Sequence, residues 1–333
     1  MEINTVLKML AKRELPSFKY MKKRIGDYCG AYHDEYGISE KYLAFSYVLN
    51  ALLYGVTCND YFLYKFFFLN NTAKRRFVSE SFQARYERNH SNSEVSEIIN
   101  NKERTLAYFN QFVLRKWCGV HENNSANDFL SFFNHQKKGV FKPLSGVGGL
   151  GVEILDIHSK FQSAEQLQDY CQANEILVEE VIPQHEMLSQ VYPNAINTVR
   201  LVTLQGHCIG AALRMGVGES NVDNAHSGGI FAELDLSTGA VIGSAMDYLN
   251  HRFITHPTTG ILIPGITIPF WKECKSMVEK ASSLVADIDL LGWDIAVSPR
   301  GPVLVEANTF PGLELIQAPN GHGLMYEFDK LKK

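Results

Sequence analysis

Hydrophobic positions follow two different rhythms along the 333 residues, and the change comes near residue 138. Before it, apolar residues recur at helical spacing. Val6, Leu7, Leu10 and Ala11 share one helix face, and Pro16 ends the run because proline has no amide to continue the ladder. Leu43–Tyr54, Tyr61–Leu69 and Thr105–Trp117 are further helix candidates, and glycine is sparse from 60 to 118. The polar stretches Asn89–Ser96 and His121–Asn127 read as loops.

After residue 138 the pattern becomes strand-like. GVFKP (139–143) and VEIL (152–155) are short strands on either side of the loop Leu144–Gly151. Ser163 with Gln166 reads as a capping box that opens a helix to Gln172. ILVEEVI (176–182) is a buried strand candidate. TVRLVTL (198–204) and CIGAALRM (208–215) are strands joined by a tight turn at Gln205–Gly206. FAELDL (231–236) and AVIGSA (240–245) predict a second hairpin. Trp271, Cys274, Met277, Val278, Ala281, Leu284 and Val285 mark one helix face. WDIAV (293–297) and VLVEAN (303–308) form a final strand pair joined at Pro299–Arg300–Gly301.

Composition narrows the class. Hydrophobic residues make up 45% and charged residues 20%, which describes a globular chain. The net charge of −4 argues against a dedicated nucleic-acid binder, which carries a strongly basic face. Cys29, Cys58, Cys118, Cys171, Cys208 and Cys274 form no CxxC or CxxH pair and read as reduced, mostly buried thiols. The start, MEINTVLKML, lacks a signal-peptide apolar region, and the apolar stretch Tyr42–Val56 is shorter than the ~20 residues a membrane span needs. These features predict a cytoplasmic protein. Residues 1–24 carry Lys8, Lys12, Arg13, Lys19, Lys22, Lys23 and Arg24 against Glu2 and Glu14, which suits either a solvated helix face or peripheral contact with an anionic bilayer.

Four groups of residues could carry chemistry. Lys142 precedes SGVGGLG (145–151), where glycines let backbone amides approach a phosphate; a flexible hairpin turn is the alternative. The spacing is not that of a P-loop, and the flanking strands do not suit a dinucleotide fold. Glu306 and Asn308 are two apart on a strand and share a face, with Asp294 on the adjoining strand. Two carboxylates and an amide oxygen are hard donors suited to Mg²⁺; a solvated polar face is the alternative. Glu179, Glu180, Val181 and Ile182 end a strand that could meet a purine edge, with Glu186 near enough for a ribose diol; a surface strand end is the alternative that these residues alone favour. Arg200 and Arg214 sit on neighbouring strands ahead of Asn224 and suit a phosphate or carboxylate, or an ordinary ion pair.

In this order, the four groups resemble the ATP-grasp superfamily. EANTFPGLELIQ (306–317) is similar to the metal-binding segment of D-alanine–D-alanine ligases and alpha-L-glutamate ligases. NTVRLVTL, LRMGVGESNVDNAHSGGI and GWDIAVSPRGPVLVEANTFPGLELIQ resemble the sugar-transfer-associated ATP-grasp group, which DYFLYKFFFL (60–69) also fits. The resemblance implies an α+β fold in which two subdomains grip ATP behind a mainly helical N-terminal region. The expected divisions are 1–100, helical; 101–180, the small subdomain with the glycine lid; and 181–333, the C-terminal subdomain with the metal site.

The same resemblance implies roles. Lys102 and Lys142 would contact ATP phosphates, and Gly146, Gly148 and Gly149 would form the lid. Glu179–Ile182 would be the adenine hinge, with Glu186 on the ribose. Asp294, Glu306 and Asn308 would hold one or two Mg²⁺, with Mn²⁺ as a substitute. Arg200 and Arg214 would face the γ-phosphate and an acyl phosphate, and Asn224 would lie on the acceptor side. Asp223 departs from the arginine that related glutamate ligases carry before that asparagine. The implied activity is a carboxylate–amine ligase acting on a small or sugar-linked carboxylate, such as a uronic acid in surface-polysaccharide synthesis, and an amino acid or amino alcohol. A kinase for a sugar or polyol hydroxyl and a non-catalytic ATP-binding regulator are the rival readings.

Overall fold

The structure, a computed structural model, describes residues 18–145 and 149–331. Gly146, Gly148 and the helix expected around Val6–Ala11, with Lys8, Lys12 and Arg13, lie outside the described residues. The chain divides into two compact units. One comprises residues 1–88, 249–251 and 312–333, and the other 89–248 and 252–311.

The first unit is helical. Helices Phe18–Tyr36, Glu40–Tyr54 and Cys58–Leu63 share an aromatic core of Tyr28, Tyr32, Tyr47, Tyr61 and Phe62, in which the Tyr28 and Phe62 rings stack at 4.7 Å. Gly55, at φ 66°, ends the second helix in the left-handed conformation glycine adopts freely. Thr57 then caps the third: its hydroxyl accepts from Asp60 N at 3.2 Å while the Asp60 carboxylate accepts from Thr57 N at 2.9 Å. The helix expected over Tyr61–Leu69 stops at Leu63. Lys65 is left-handed at φ 51°, and a short 3₁₀ turn, Phe66–Phe68, follows. Phe66 is buried after the break and Phe68 is exposed.

The chain returns to this unit after the last strand, through helices Glu314–Asn320 and Met325–Lys330, neither of which the hydrophobic pattern announced. Buried Gln317 ties them in. Its Oε1 accepts from Val78 N at 2.9 Å and Leu324 N at 3.0 Å, and its Nε2 donates to Val78 O and the Tyr64 hydroxyl, both at 2.9 Å.

The second unit holds two antiparallel sheets. We label its strands β1 Trp117–Cys118, β2 Lys138–Pro143, β3 Glu153–Asp156, β4 Ile176–Glu180, β5 Thr198–Leu204, β6 His207–Met215, β7 Ile230–Glu233, β8 Ala245–Met246, β9 Arg252–Phe253, β10 Leu290–Ser298 and β11 Gly301–Asn308. The smaller sheet has the order β1-β4-β2-β3 and the larger β11-β10-β5-β6-β7-β8-β9. Phe129 and Phe132 from helix Ala126–His135, and Leu167 and Cys171 from helix Ala164–Asn174, pack with Phe141 and Val178 of the smaller sheet. Ser163 caps the second of these helices through Gln166 N at 3.4 Å.

Strand alternation divides the larger sheet into two faces. Val199 and Leu201 of β5, Leu213 and Met215 of β6, and Trp293, Ile295 and Val297 of β10 point to one side, with Cys274, Met277 and Val278 of helix Trp271–Ser283. Trp293 is fully buried there, donating to the Thr203 hydroxyl at 2.9 Å and meeting Phe109 edge-on at 5.3 Å. The intervening residues, Arg200, Arg214 and Asp294 among them, point to the opposite face.

Three stretches differ from their sequence patterns. A helix begins at Ser93 inside the expected loop Asn89–Ser96, because the Asn92 side chain accepts from Glu94 N and Val95 N. The expected helix Thr105–Trp117 splits into Lys102–Tyr108 and Asn110–Val113. Leu114 at φ 49° then turns the chain into β1. The expected hairpin over 231–245 narrows to one bridge, Leu234↔Val241, around a turn in which the Asp235 carboxylate accepts from Ser237 N at 3.0 Å and Thr238 N at 2.8 Å. All six cysteines are free, and five are buried.

Gln317→Leu strands four polar partners in the helical unit. It should lower stability by about 2–4 kcal/mol in urea unfolding, whereas Lys330→Leu, at an exposed position, should cost under about 0.5 kcal/mol.

Candidate functional site

The polar face of the larger sheet lies over a row of directly opposed residues. Glu306 on β11 pairs with Asp294 on β10, Asp294 with Arg200 on β5, Arg200 with Ala212 on β6, and Ala212 with Glu233 on β7. Ala212 leaves room for arginines on either side. The β10–β11 register shifts between Asp294 and Ile295, which pair with Glu306 and Leu304, so Val305 is an extra residue. The bulge turns Val305 and Glu306 together into the site, where an unbroken strand would alternate them.

Asp294 is the centre of charge. Arg200 donates to it through Nε at 2.5 Å and Nη2 at 3.0 Å, and Arg214 through Nη1 at 2.8 Å. Arg214 also pairs with Asp223 at 3.1 Å. Asp223 in turn accepts from Thr198 N at 2.9 Å and from the Thr198 hydroxyl. Burial opposes ionisation of Asp294, but the two guanidinium groups outweigh it and hold the carboxyl at about 2. Arg200 further donates to Pro311 O, and Pro311 lies so close over Gly292 that a Cβ there would fall 2.7 Å from the proline Cβ.

A second cluster lies on the smaller sheet. The buried Glu179 carboxylate receives Arg115 Nε at 2.7 Å and Lys142 Nζ at 2.9 Å. Burial raises the Glu179 pKa, yet Arg115 and Lys142 reverse the shift and hold it below the usual range. Arg115 continues to Leu304 O at 2.6 Å and Val305 O at 3.3 Å, which joins β4 to the bulged strand β11. Lys102 Nζ donates to Pro143 O at 2.7 Å; burial depresses its pKa.

Between these clusters is a cavity of about 180 Å³ lined by Lys102, Lys142, Glu179, Asp223, Asp294 and Glu306 among others. Glu180, Val181, Ile182, Arg214, Asn224 and Gly149 also border it, and an adjoining cavity of about 330 Å³ adds Asn308. Gly149, at φ 74°, sits against Val222. Glu186 is exposed in the first turn of helix Glu186–Val191 and does not border either cavity.

The donor set fits a hard divalent cation. Glu306 has no hydrogen bond or salt bridge among the described residues, and burial, with Asp294 adding to it, raises its pKa against Lys142, Arg200 and Lys102. The buried Asn308 Nδ2 has no partner. A carboxylate and an amide without partners, beside a second carboxylate, suit Mg²⁺ through oxygen. Asp294, the third of the expected metal ligands, is also paired with Arg200 and Arg214. The arginines expected to face phosphates face Asp294 and Asp223. Arg115 and Thr198 have no sequence signal, because their roles arise from β1–β4 pairing and the position of Asp223.

Two predictions follow from these ion pairs. Asp294→Asn leaves two guanidinium groups buried without their partner and should cost about 3–5 kcal/mol in urea unfolding at pH 7. Asp294 and Glu179 are both held below their unfolded values, so their contribution is complete above about pH 5 and is lost as pH falls toward 2. The fall in urea midpoint below about pH 4 should be less steep in Glu179→Gln than in the unaltered chain.

A family model described as sugar-transfer associated ATP-grasp matches residues 81–333. No curated protein matches the sequence. Among solved structures, the ATP-grasp ligase PsnB complexed with a phosphomimetic variant of its minimal precursor, Mg and ADP is similar at 13% identity and a TM-score of 0.41, over 72% of this chain and 60% of that one. The chain therefore spans less than two thirds of the length of that ligase. The D-alanine–D-alanine ligase from Bacillus anthracis is similar at 15% identity and a TM-score of 0.43, over 75% and 74% of the two chains. D-cycloserine synthetase DcsG is similar at 11% and 0.42, over 76% and 78%. With its family model covering both sheets and the cavity between their charged clusters, the chain belongs to the sugar-transfer-associated ATP-grasp family.

Proposed function

We propose that the protein is an ATP-dependent carboxylate–amine ligase that forms an amide through an acyl phosphate. The observation that carries this reading is one cavity with Glu306, Asp294 and Arg214 along one wall and Lys142, Lys102 and Glu179 along the other. Acid and base residues on facing walls suit a triphosphate and its cation. In this reading the smaller sheet, within 101–180, and the larger sheet, from 181 onward, are the two ATP-gripping subdomains.

Asp294, Glu306 and Asn308 would hold Mg²⁺, which when bound neutralises charge on the transferring phosphoryl group. Lys142 and Lys102 bring positive charge to the phosphates, and Glu179 keeps the Lys142 ammonium oriented. Val181 and Ile182 offer an apolar edge to adenine at the end of β4. The segment at Gly149 and Leu150, which borders the cavity beside Val222, would limit water, which would hydrolyse an acyl phosphate. The substrate carboxylate oxygen attacks the γ-phosphorus and ADP leaves. The amine nitrogen then attacks the acyl carbon, phosphate leaves, and the amine loses a proton. Arg214 and Asn224 border the space where that carboxylate would sit. A uronic acid with an amino acid or amino alcohol is the substrate pair we favour, in a cytoplasmic setting.

ADP release should require both a carboxylate and an amine, and hydroxylamine in place of the amine should give an acyl hydroxamate. A panel of uronic acids crossed with amino acids and amino alcohols, read by product mass, identifies the pair. Glu306→Gln should reduce kcat about 10²–10³-fold with the fold intact by circular dichroism. ADP release with a polyol alone, giving a stable phosphate ester, would make the protein a kinase. Turnover unchanged in Glu306→Gln would remove the reading altogether.

A further inference from the structure

Helix Glu40–Tyr54 is apolar on both faces. Leu43, Tyr47, Val48 and Ala51 are buried in the helical unit. Tyr42, Phe45, Leu49, Leu52 and Leu53 point the other way and are 46–66% exposed. Their spacing follows the helical period, so they form one continuous stripe. Lone exposed apolar residues are ordinary, but a contiguous stripe of five marks a contact surface.

Two observations specify what covers it. The first is the placement of cations. Exposed Lys41 adjoins Tyr42 at one end, and at the other Lys74 Nζ stands 5.6 Å from the ring centre of Tyr54, followed by exposed Arg75 and Arg76. Nearby, Lys65 Nζ donates to the Tyr36 hydroxyl at 2.7 Å and lies over its ring, and Tyr36 meets exposed Phe68 edge-on at 5.4 Å. The second is the division of charge. The described residues of the helical unit, 18–88, 249–251 and 312–331, carry 12 Lys and Arg against 10 Asp and Glu. Those of the other unit carry 15 against 24, so the excess of positive charge lies on the helical unit.

We propose that this helix face docks on an anionic phospholipid bilayer. The stripe enters the boundary between headgroups and acyl chains, the tyrosines lie at headgroup level, and Lys41, Lys65, Lys74, Arg75 and Arg76 meet the anionic headgroups. A second copy of the chain is disfavoured because it would bring two positive surfaces together. Among the described residues no helix is long and apolar enough to cross a membrane, which agrees with a helix lying in the interface. This inference does not depend on the ligase reading.

The full chain should co-sediment with vesicles of equal parts phosphatidylglycerol and phosphatidylcholine and stay in solution with phosphatidylcholine alone. The double substitution Leu49→Glu with Leu53→Glu should cut the bound fraction about tenfold or more with an unchanged circular dichroism spectrum, since both side chains are exposed. Lys41→Glu with Arg75→Glu, which leaves the stripe intact, should also lower binding to the anionic vesicles and make it less sensitive to salt. The proposal fails if the full chain stays in the supernatant with both vesicle types, or if neither double variant changes binding. It also fails if light scattering without lipid shows a dimer that Leu49→Glu with Leu53→Glu dissolves, because a second copy would then cover the stripe.

Discussion

A single buried carboxylate organises the larger sheet. Asp294 lies at the centre of its polar face, on β10 between β5 and β11, and its charge survives burial because Arg200 and Arg214 reach it from two strands. Neither arginine could stay buried without it, and it could not stay ionised without them. Asp223 draws Arg214 further along and binds Thr198, so the network fixes the start of β5 as well. The floor of the cavity is a set of charges whose positions are over-determined before any ligand arrives. Such preorganisation is what phosphoryl chemistry requires of a protein.

The smaller sheet repeats this arrangement of one carboxylate between two cations. There a carboxylate, Glu179, sits between Arg115 and Lys142. Arg115 also reaches the backbone of β11 beside the bulge, so the position of Glu306 depends on a residue that arrives from the far side of the cavity. Glu179 thus supports Lys142 while bordering the cavity together with Glu180, Val181 and Ile182. Glu186, seven residues on, is exposed away from both cavities.

Much of this was legible in the sequence where one physical rule acts alone. β5, β6, β10 and β11 are read correctly because alternation marks two faces and short turns join them. The separation of two between Glu306 and Asn308 likewise survives, since both lie on the strand side of the bulge that preserves the alternation. The rest failed where local and tertiary effects compete. The pattern over Tyr61–Leu69 promises one helix, but the chain leaves it at Leu63 and turns left-handed at Lys65, which a hydrophobic pattern does not encode. Asn92 looks like a loop residue until its side chain caps a helix. Arg115 is an unremarked arginine in a helical pattern until β1 pairs with β4. The partners of Asp294 were visible as candidates, but only register shows that they face a carboxylate.

Pro311 folding down on Gly292 has a consequence for how this scaffold can diversify. A side chain at position 292 would strike the proline at both Cα and Cβ and press on the Arg200 stem. The neighbouring rungs are filled by ion pairs, so little can be added on this wall without dismantling it. Room for change remains at the rim where Asn221, Val222 and Asn224 border the cavity beside Gly149 and Leu150. Divergence among enzymes built on this plan is therefore expected to accumulate at that rim, with the sheet beneath inherited nearly unaltered.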